Sequence, residues 1–303
     1  MSPLLAPDSP ELDDTHFALL AHYAKHLGRA PKAMRFASTT GERRSRQKGH
    51  GMEMLELRAY QASDDFRHID WRVTARTGQA HTRLYAQEND HQRLLLLDLS
   101  SRAYFGTRHT FISTRFIQLA GIIAWRAKQQ GDTLSYRLLF GNEACADQQA
   151  SALPRLLKQL KDASRLYHRT NNALRPAAWS KHALTQHAHN KDVIILTDKP
   201  YWEEIDDTAL LQLAKHNSVH WVQIIDSNAF NLPTGQYQMA DVSGVKTVSI
   251  SERSIQHAKT DFVEHNAQFR QDLARLGIRH HVFDLTEPPE NIARYLLSQG
   301  ALR

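Results

Sequence analysis

One cysteine, Cys145, stands among 303 residues. No disulfide can form within the chain, and a cysteine-rich metal site is excluded. Long apolar runs are missing too. The longest, Leu94 to Leu97, has the size of a strand, far short of the ~20 residues of a membrane helix. The opening MSPLLAPDSPELDD is acidic and Pro-rich. It lacks the basic region and apolar core of a secretory leader, so a cytoplasmic location and no membrane span are expected. No Walker A sequence, GxSxG elbow, GxGxxG after a strand, HExxH or cysteine-nucleophile context is present. These absences argue against an ordinary ATPase, serine hydrolase or dehydrogenase.

Hydrophobic residues make up 41% of the chain and charged residues 23%, the balance of a soluble protein with a real core. The net charge of +6 is unevenly spread. Arg29, Lys32, Arg35, Arg43, Arg44, Arg46 and Lys48 face a single acidic neighbour, Glu42. Such a run can bind phosphate backbones or an acidic protein face. Phe36 is its only aromatic residue, which disfavours a base-stacking surface, and the run reads first as a solvated linker.

Residues 14–28 predict a helix capped by Asp13 or Asp14 and ended by Gly28. Residues 29–50 predict a loop. Extended pieces at MEMLELRAY and HTRLYAQE flank the turn-rich ASDDFRHIDW. From Gln92 onward, strands and helices alternate. Strands are expected at RLLLLD, 133–140, 192–198, 219–226 and 279–285. Helices are expected at about 110–130, 152–166, 174–189, 203–216, 260–276 and 288–299. Residues 232–250 break the rhythm as a β-hairpin insert. Buried apolar strands between amphipathic helices predict an α/β, Rossmann-like, mostly parallel doubly wound sheet. The division expected is 1–90, an N-terminal helix plus β-rich lead-in, and 91–303, the sheet domain.

The strand RLLLLD delivers Asp98 and Ser100 to a turn at the carboxyl edge of such a sheet, where open α/β folds bind ligands. DVIILTD brings Asp198 to the same edge, and Thr170 lies in a loop between helices. Carboxylates and hydroxyls converging there are hard oxygen ligands suited to Mg²⁺. The plainer alternative is that Asp98 and Ser100 bond their own turn.

The run Gly49-His50-Gly51, Leu57-Arg58-x-Tyr60, Asp64-Asp65-x-Arg67-x-Ile69-Asp70-Trp71-x-x-x-Ala75-Arg76 and the strand ending at Asp98 resembles the family called domain of unknown function 58. Tyr104 to Thr107 resemble one branch of it, and the likeness continues to the C-terminus. The resemblance implies a von Willebrand factor A-like domain and association with MoxR-type AAA+ ATPases. In A-domains a metal-ion-dependent adhesion site uses Asp-x-Ser-x-Ser with a distant Thr and Asp. Carried over, these are Asp98, Ser100, Thr170 and Asp198. The third motif position here is Arg102, whose guanidinium cannot ligate a metal. Turned inward, Arg102 would put its charge where the metal's belongs and pair with Asp98 or Asp198. No cofactor is therefore expected. Mg²⁺ is the lesser alternative, on Asp98, Ser100, Thr170 and Asp198.

A second constellation comprises Arg58, Asp64, Asp65, Arg67, Asp70, Trp71, Arg72 and Arg76. Three carboxylates within seven residues could form a metal or general-base cluster, but the interleaved arginines predict an ion-pair network that stiffens the segment. The alternative is a partner-binding surface with Trp71 as its aromatic anchor. Eighteen histidines include the pairs His22/His26, His187/His189, His216/His220 and His280/His281. None stands at ligand spacing with a carboxylate. The function expected is non-enzymatic. The chain would be an adaptor that works with a MoxR-type AAA+ ATPase on an unidentified client protein, docking through the degenerate adhesion site. The alternatives are nucleic-acid binding through residues 29–48 and a divalent-metal-dependent hydrolase acting at Asp98 and Asp198.

Overall fold

The computed structural model describes residues 5–7, 9–28, 54–61, 64–85, 92–108, 110–140, 143–147, 153–168, 190–199, 207–241 and 244–302. They fall into two compact units, one of residues 1–33 with 91–303 and one of residues 34–90. The basic run 29–48, the helix expected at 174–189, His187, His189 and Thr170 lie outside the described residues. No helix among the described residues is long and apolar enough to cross a membrane.

The larger unit is built on a six-stranded sheet. Its strands are β3 (Gln92–Asp98), β4 (Thr133–Phe140), β5 (Glu143–Asp147), β6 (Lys191–Thr197), β7 (Ser218–Ile225) and β10 (Arg279–Asp284). The spatial order is β10-β7-β6-β3-β4-β5. All neighbours run parallel except β5, which pairs antiparallel with β4 at the edge. The doubly wound α/β reading holds. The edge strand β5 went unread in the sequence, because a five-residue EACAD carries no alternation of its own and forms by pairing with β4.

β3 shows why its sequence is a continuous apolar run. Leu95 and Leu97 join a core with α1 (Asp14–His26), α3 (Ile112–Gln130), α4 (Leu153–Ala163) and α7 (Pro289–Ser298). Leu94 and Leu96 join a second core with α5 (Asp207–His216) and α6 (Glu252–Arg275). A central parallel strand is covered on both faces, so alternation disappears. Full burial of each leucine contributes about 1.5–3 kcal/mol. α6 begins at Glu252 rather than near 260, because Ser251 and Ser254 form a reciprocal capping box that starts the helix earlier. β8 (Gly235–Asp241) and β9 (Gly244–Ile250) form the expected hairpin as a separate two-stranded sheet.

The sequence reading grouped the first helix with the β-rich lead-in. In the structure α1 packs on α3 of the sheet unit. Phe17, Leu20, Tyr23 and Ala24 bury the inner face of α1. Gly121 in the middle of α3 admits this approach, since a Cβ there would stand 2.9 Å from Leu20 Cδ1. Polar ties fix the segment further. The Tyr23 hydroxyl donates to the Glu290 carbonyl at 2.9 Å, and Leu5 N donates to Glu290 Oε1 at 2.7 Å.

The smaller unit pairs β1 (Met54–Ala59) antiparallel with β2 (His81–Tyr85). The stretch between them, expected as turns, contains a 3₁₀ turn at Phe66–His68 and a short helix, α2 (Trp71–Thr77). Asp65 caps the first and Asp70 the second, whose carboxylate accepts from Arg72 N and Val73 N. Gly78, at φ 73°, ends α2 in the left-handed conformation that glycine adopts without strain.

Candidate functional site at the carboxyl edge of the sheet

β3 and β6 are neighbours, yet the chain leaves them in opposite directions. β3 leads through α3 to β4, whereas β6 leads through α5 to β7. In open α/β sheets, ligands bind outside the carboxyl ends of the strands at such a reversal. Asp98 ends β3, and Thr197, Asp198 and Lys199 follow one another at the end of β6.

Asp98 is fully buried. Its Oδ1 accepts from Ser100 N at 3.1 Å, closing the turn. Its Oδ2 accepts from Thr197 Oγ1 at 3.0 Å, and Lys199 Nζ lies 3.6 Å from the same oxygen. The Lys199 side chain is only 3% exposed. Lys199 N in turn donates to Thr197 Oγ1 at 3.1 Å, so one hydroxyl ties the β6 turn to the β3 carboxylate.

The Asp198 side chain, 9% exposed, lies close to this pair, and Arg102 Nε stands 3.6 Å from its Oδ2. Arg102 is 45% exposed, so it occupies the rim. Burial, and then the negative charge of Asp98, push the Asp198 carboxyl up to about 6, against the lowering pull of Arg102 and Lys199. Ser100 Oγ and Asp198 Oδ1 are buried without a hydrogen-bond partner among the described residues.

The structure thus brings Asp98, Ser100, Arg102 and Asp198 to one edge. Arg102 pairs with Asp198 rather than entering beside Asp98. The cation next to Asp98 is Lys199, a residue the sequence reading passed over, as it did Thr197. The only local signal was a lysine directly after the aspartate that ends an apolar strand. With Thr170 outside the described residues, the threonine hydroxyl placed on Asp98 is that of Thr197. The donor set fits a divalent ion poorly. Two carboxylates already face two cations, and an added Mg²⁺ would be repelled by both. No group of three His, Cys, Asp or Glu side chains among the described residues could hold a metal.

The loop after Ser100 is held firmly. The buried Tyr104 hydroxyl donates to the Ala163 carbonyl at 2.8 Å. Thr107 donates to Asp226 through its backbone N at 2.6 Å and its Oγ1 at 3.0 Å. Tyr104 and Thr107, two of the family-branch residues, therefore anchor this loop.

In the smaller unit the expected pairings are redistributed. Asp64 pairs with Arg58 at 2.7 Å, and Asp70 with Arg83 at 2.9 Å. The Arg83 hydrogen bond is the first cause that holds the Asp70 carboxyl below the usual range. Arg67, Arg72 and Arg76 form no ion pair with Asp64, Asp65 or Asp70 among the described residues. The carboxylates are engaged as caps or by the strand arginines Arg58 and Arg83. Trp71 stands 68% exposed on α2 and Phe66 65% exposed nearby.

His22, His26 and His216 are exposed, whereas His220 and His281 are buried. His220 Nδ1 lies 3.1 Å from His281 Nε2 in the sheet. Burial first of all depresses His280 and His281 to about 4, so both are neutral at physiological pH.

The model of the family "Protein of unknown function DUF58" matches residues 56–286. Three uncharacterized proteins, one from Mycobacterium bovis and two from Mycobacterium tuberculosis, are each 42% identical over 59 residues. That stretch covers 20% of this chain and 19% of each relative, so the chain spans about a fifth of the length of the relatives it matches. Among solved structures, an aerotolerance-related membrane protein from Bacteroides fragilis aligns at TM-score 0.41 and 12% identity, over 70% of this chain and 98% of that one. The PilB minor pilin of Streptococcus sanguinis aligns at TM-score 0.36 and 9% identity, over 74% and 65%.

Proposed function

The chain belongs to the DUF58 family, and from that premise we propose that it is a non-enzymatic adaptor of the von Willebrand factor A type. It would work with a MoxR-type AAA+ ATPase to remodel or assemble a client protein. The observation that carries this reading is the Asp98–Lys199 pair at the strand-order reversal. It is a degenerate adhesion site in which a fixed ammonium stands where a metal's charge would lie. On this reading the site is metal-free. Arg102 at the rim takes the partner's carboxylate directly, and charge complementarity sets specificity and encounter rate. The buried Lys199 neutralises Asp98 so that the partner's acid is not repelled.

The test is affinity capture of the tagged chain from its native host at physiological salt, followed by mass spectrometry. Wild type is compared with Asp98→Ala and Arg102→Glu. Recovery of an AAA+ ATPase by wild type and its loss in both variants is expected. Recovery of nucleic acid without any ATPase would replace the adaptor reading with binding through residues 29–48.

A further inference from the structure

We propose that the larger unit carries a second ligand site, a cavity for a small organic carboxylate between the start of α3 and the ends of β7 and β10. The cavity measures about 410 Å³, within the range of small-molecule sites. Arg108, Thr110, Arg115, Asn228, Leu285 and Pro289 are among the residues that line it. Its walls are mostly apolar, with a few convergent polar groups, which suits a ligand with an apolar body and one charged end.

Arg115 carries the argument. It is 5% exposed. Its Nη1 donates to Gln118 Oε1 at 3.1 Å and its Nη2 to the Leu285 carbonyl at 3.0 Å. Its Nε has no partner among the described residues. Glu290 and Glu287 act on it electrostatically, but neither forms an ion pair with it. Glu290 Oε1 is engaged by Leu5 N. A buried guanidinium without a carboxylate in contact is costly unless something compensates it. Arginine presents a fork of donors that matches a carboxylate.

Two further features point the same way. α3, 19 residues long, starts beside this cavity with no side-chain cap and no acidic residue in its first turn. Ile112 N donates to the Phe105 carbonyl at 2.9 Å, and the positive end of the helix still favours an anion nearby. Asp226 in the wall is already satisfied by Thr107 and Asn228 N, which removes it as a competitor for Arg115. One buried cation, with Glu290 and Glu287 in electrostatic reach and Asp226 in the wall, favours one negative charge over two. A monocarboxylate fits that better than a phosphate dianion. The exposed Arg108 adds attraction at the wall.

The experiment uses 4-fluorobenzoate as the probe, observed by ¹⁹F NMR with the whole chain and with inorganic phosphate as competitor. Wild type broadens the probe signal, and Arg115→Met abolishes the effect. Arg108→Ala, at an exposed position, weakens binding about tenfold, the order of one charge-assisted hydrogen bond. Should Arg115→Met fail to fold, Asn228→Phe, which fills the cavity, must abolish binding in its place. Absence of broadening with wild type overturns the proposal. So does unchanged affinity in the variants, or binding of phosphate in preference to the probe.

Discussion

Lys199 Nζ lies 3.6 Å from Asp98 Oδ2, with both side chains almost wholly buried. The pair joins two strands whose chain directions diverge, and it supplies the charge balance of the sheet edge. Removing Lys199 leaves the buried Asp98 carboxylate with its hydrogen bonds from Ser100 N and Thr197 Oγ1 but without this ammonium, which costs far more than the pair contributes.

Lys199→Met is therefore expected to lower stability by about 3–5 kcal/mol. The double variant Lys199→Met/Asp98→Asn recovers most of that loss, because neither member of the pair is left charged without the other. Urea unfolding of the two variants beside wild type measures both effects. A loss under about 1 kcal/mol in the single variant, the scale of an exposed pair, would show that Asp98 finds another partner.

Asp198 gives the edge a pH dependence of defined sign. Its carboxyl titrates near 6 in the folded chain, above the ordinary 3.8. The folded state therefore holds the proton more tightly than the unfolded state. Stability falls as pH rises from about 4 to about 6, and the penalty, up to about 3 kcal/mol, persists above that. Asp198→Asn should flatten this slope in unfolding measurements at pH 4.5 and pH 7. Arg102→Ala should move the Asp198 midpoint upward, since Arg102 lowers it.

Mg²⁺ is expected to leave the melting temperature of wild type unchanged relative to EDTA. The double variant Lys199→Ala/Arg102→Ser removes both cations and supplies a hydroxyl at the third motif position. It should gain a Mg²⁺-dependent rise in melting temperature, by mass action on the folded state. A metal-dependent rise already present in wild type would count against the resident ammonium as the metal's substitute.

Asp70→Ala removes the cap of α2 and the partner of Arg83. A cost of about 1–2 kcal/mol is expected from the cap alone. Amide exchange should speed up in residues 71–77 while β3, β6 and β7 stay protected. Trp71→Ala, at an exposed position, should leave exchange unchanged and, on the adaptor proposal, reduce recovery of an AAA+ ATPase.

Much of the sheet was legible because central parallel strands must be apolar on both faces, and LLLLD and DVIILTD announce themselves. The hairpin insert was legible as a break in that rhythm. β5 was not, because an edge strand takes its conformation from its neighbour. The position of α1 was not either, since nothing in DTHFALLAHYAKH says which surface its apolar face will meet, and Gly121 in the middle of α3 only eases the approach of Leu20. In the smaller unit, Asp70 before Trp71 and Gly78 after Thr77 were readable as cap and stop.

By itself the sequence determined the α/β class, the family, and the delivery of Asp98, Ser100 and Asp198 to one sheet edge, because strand polarity and local turns dictate where strand ends fall. Only the tertiary structure decided which cation serves which carboxylate. Lys199 and Arg102 are both charged and both close in sequence to an edge aspartate. Packing of β6 against β3 buries Lys199 on Asp98, while the 3₁₀ turn at Ser101–Ala103 leaves Arg102 at the rim with Asp198. That assignment depends on contacts between segments roughly a hundred residues apart, whose desolvation no local pattern encodes.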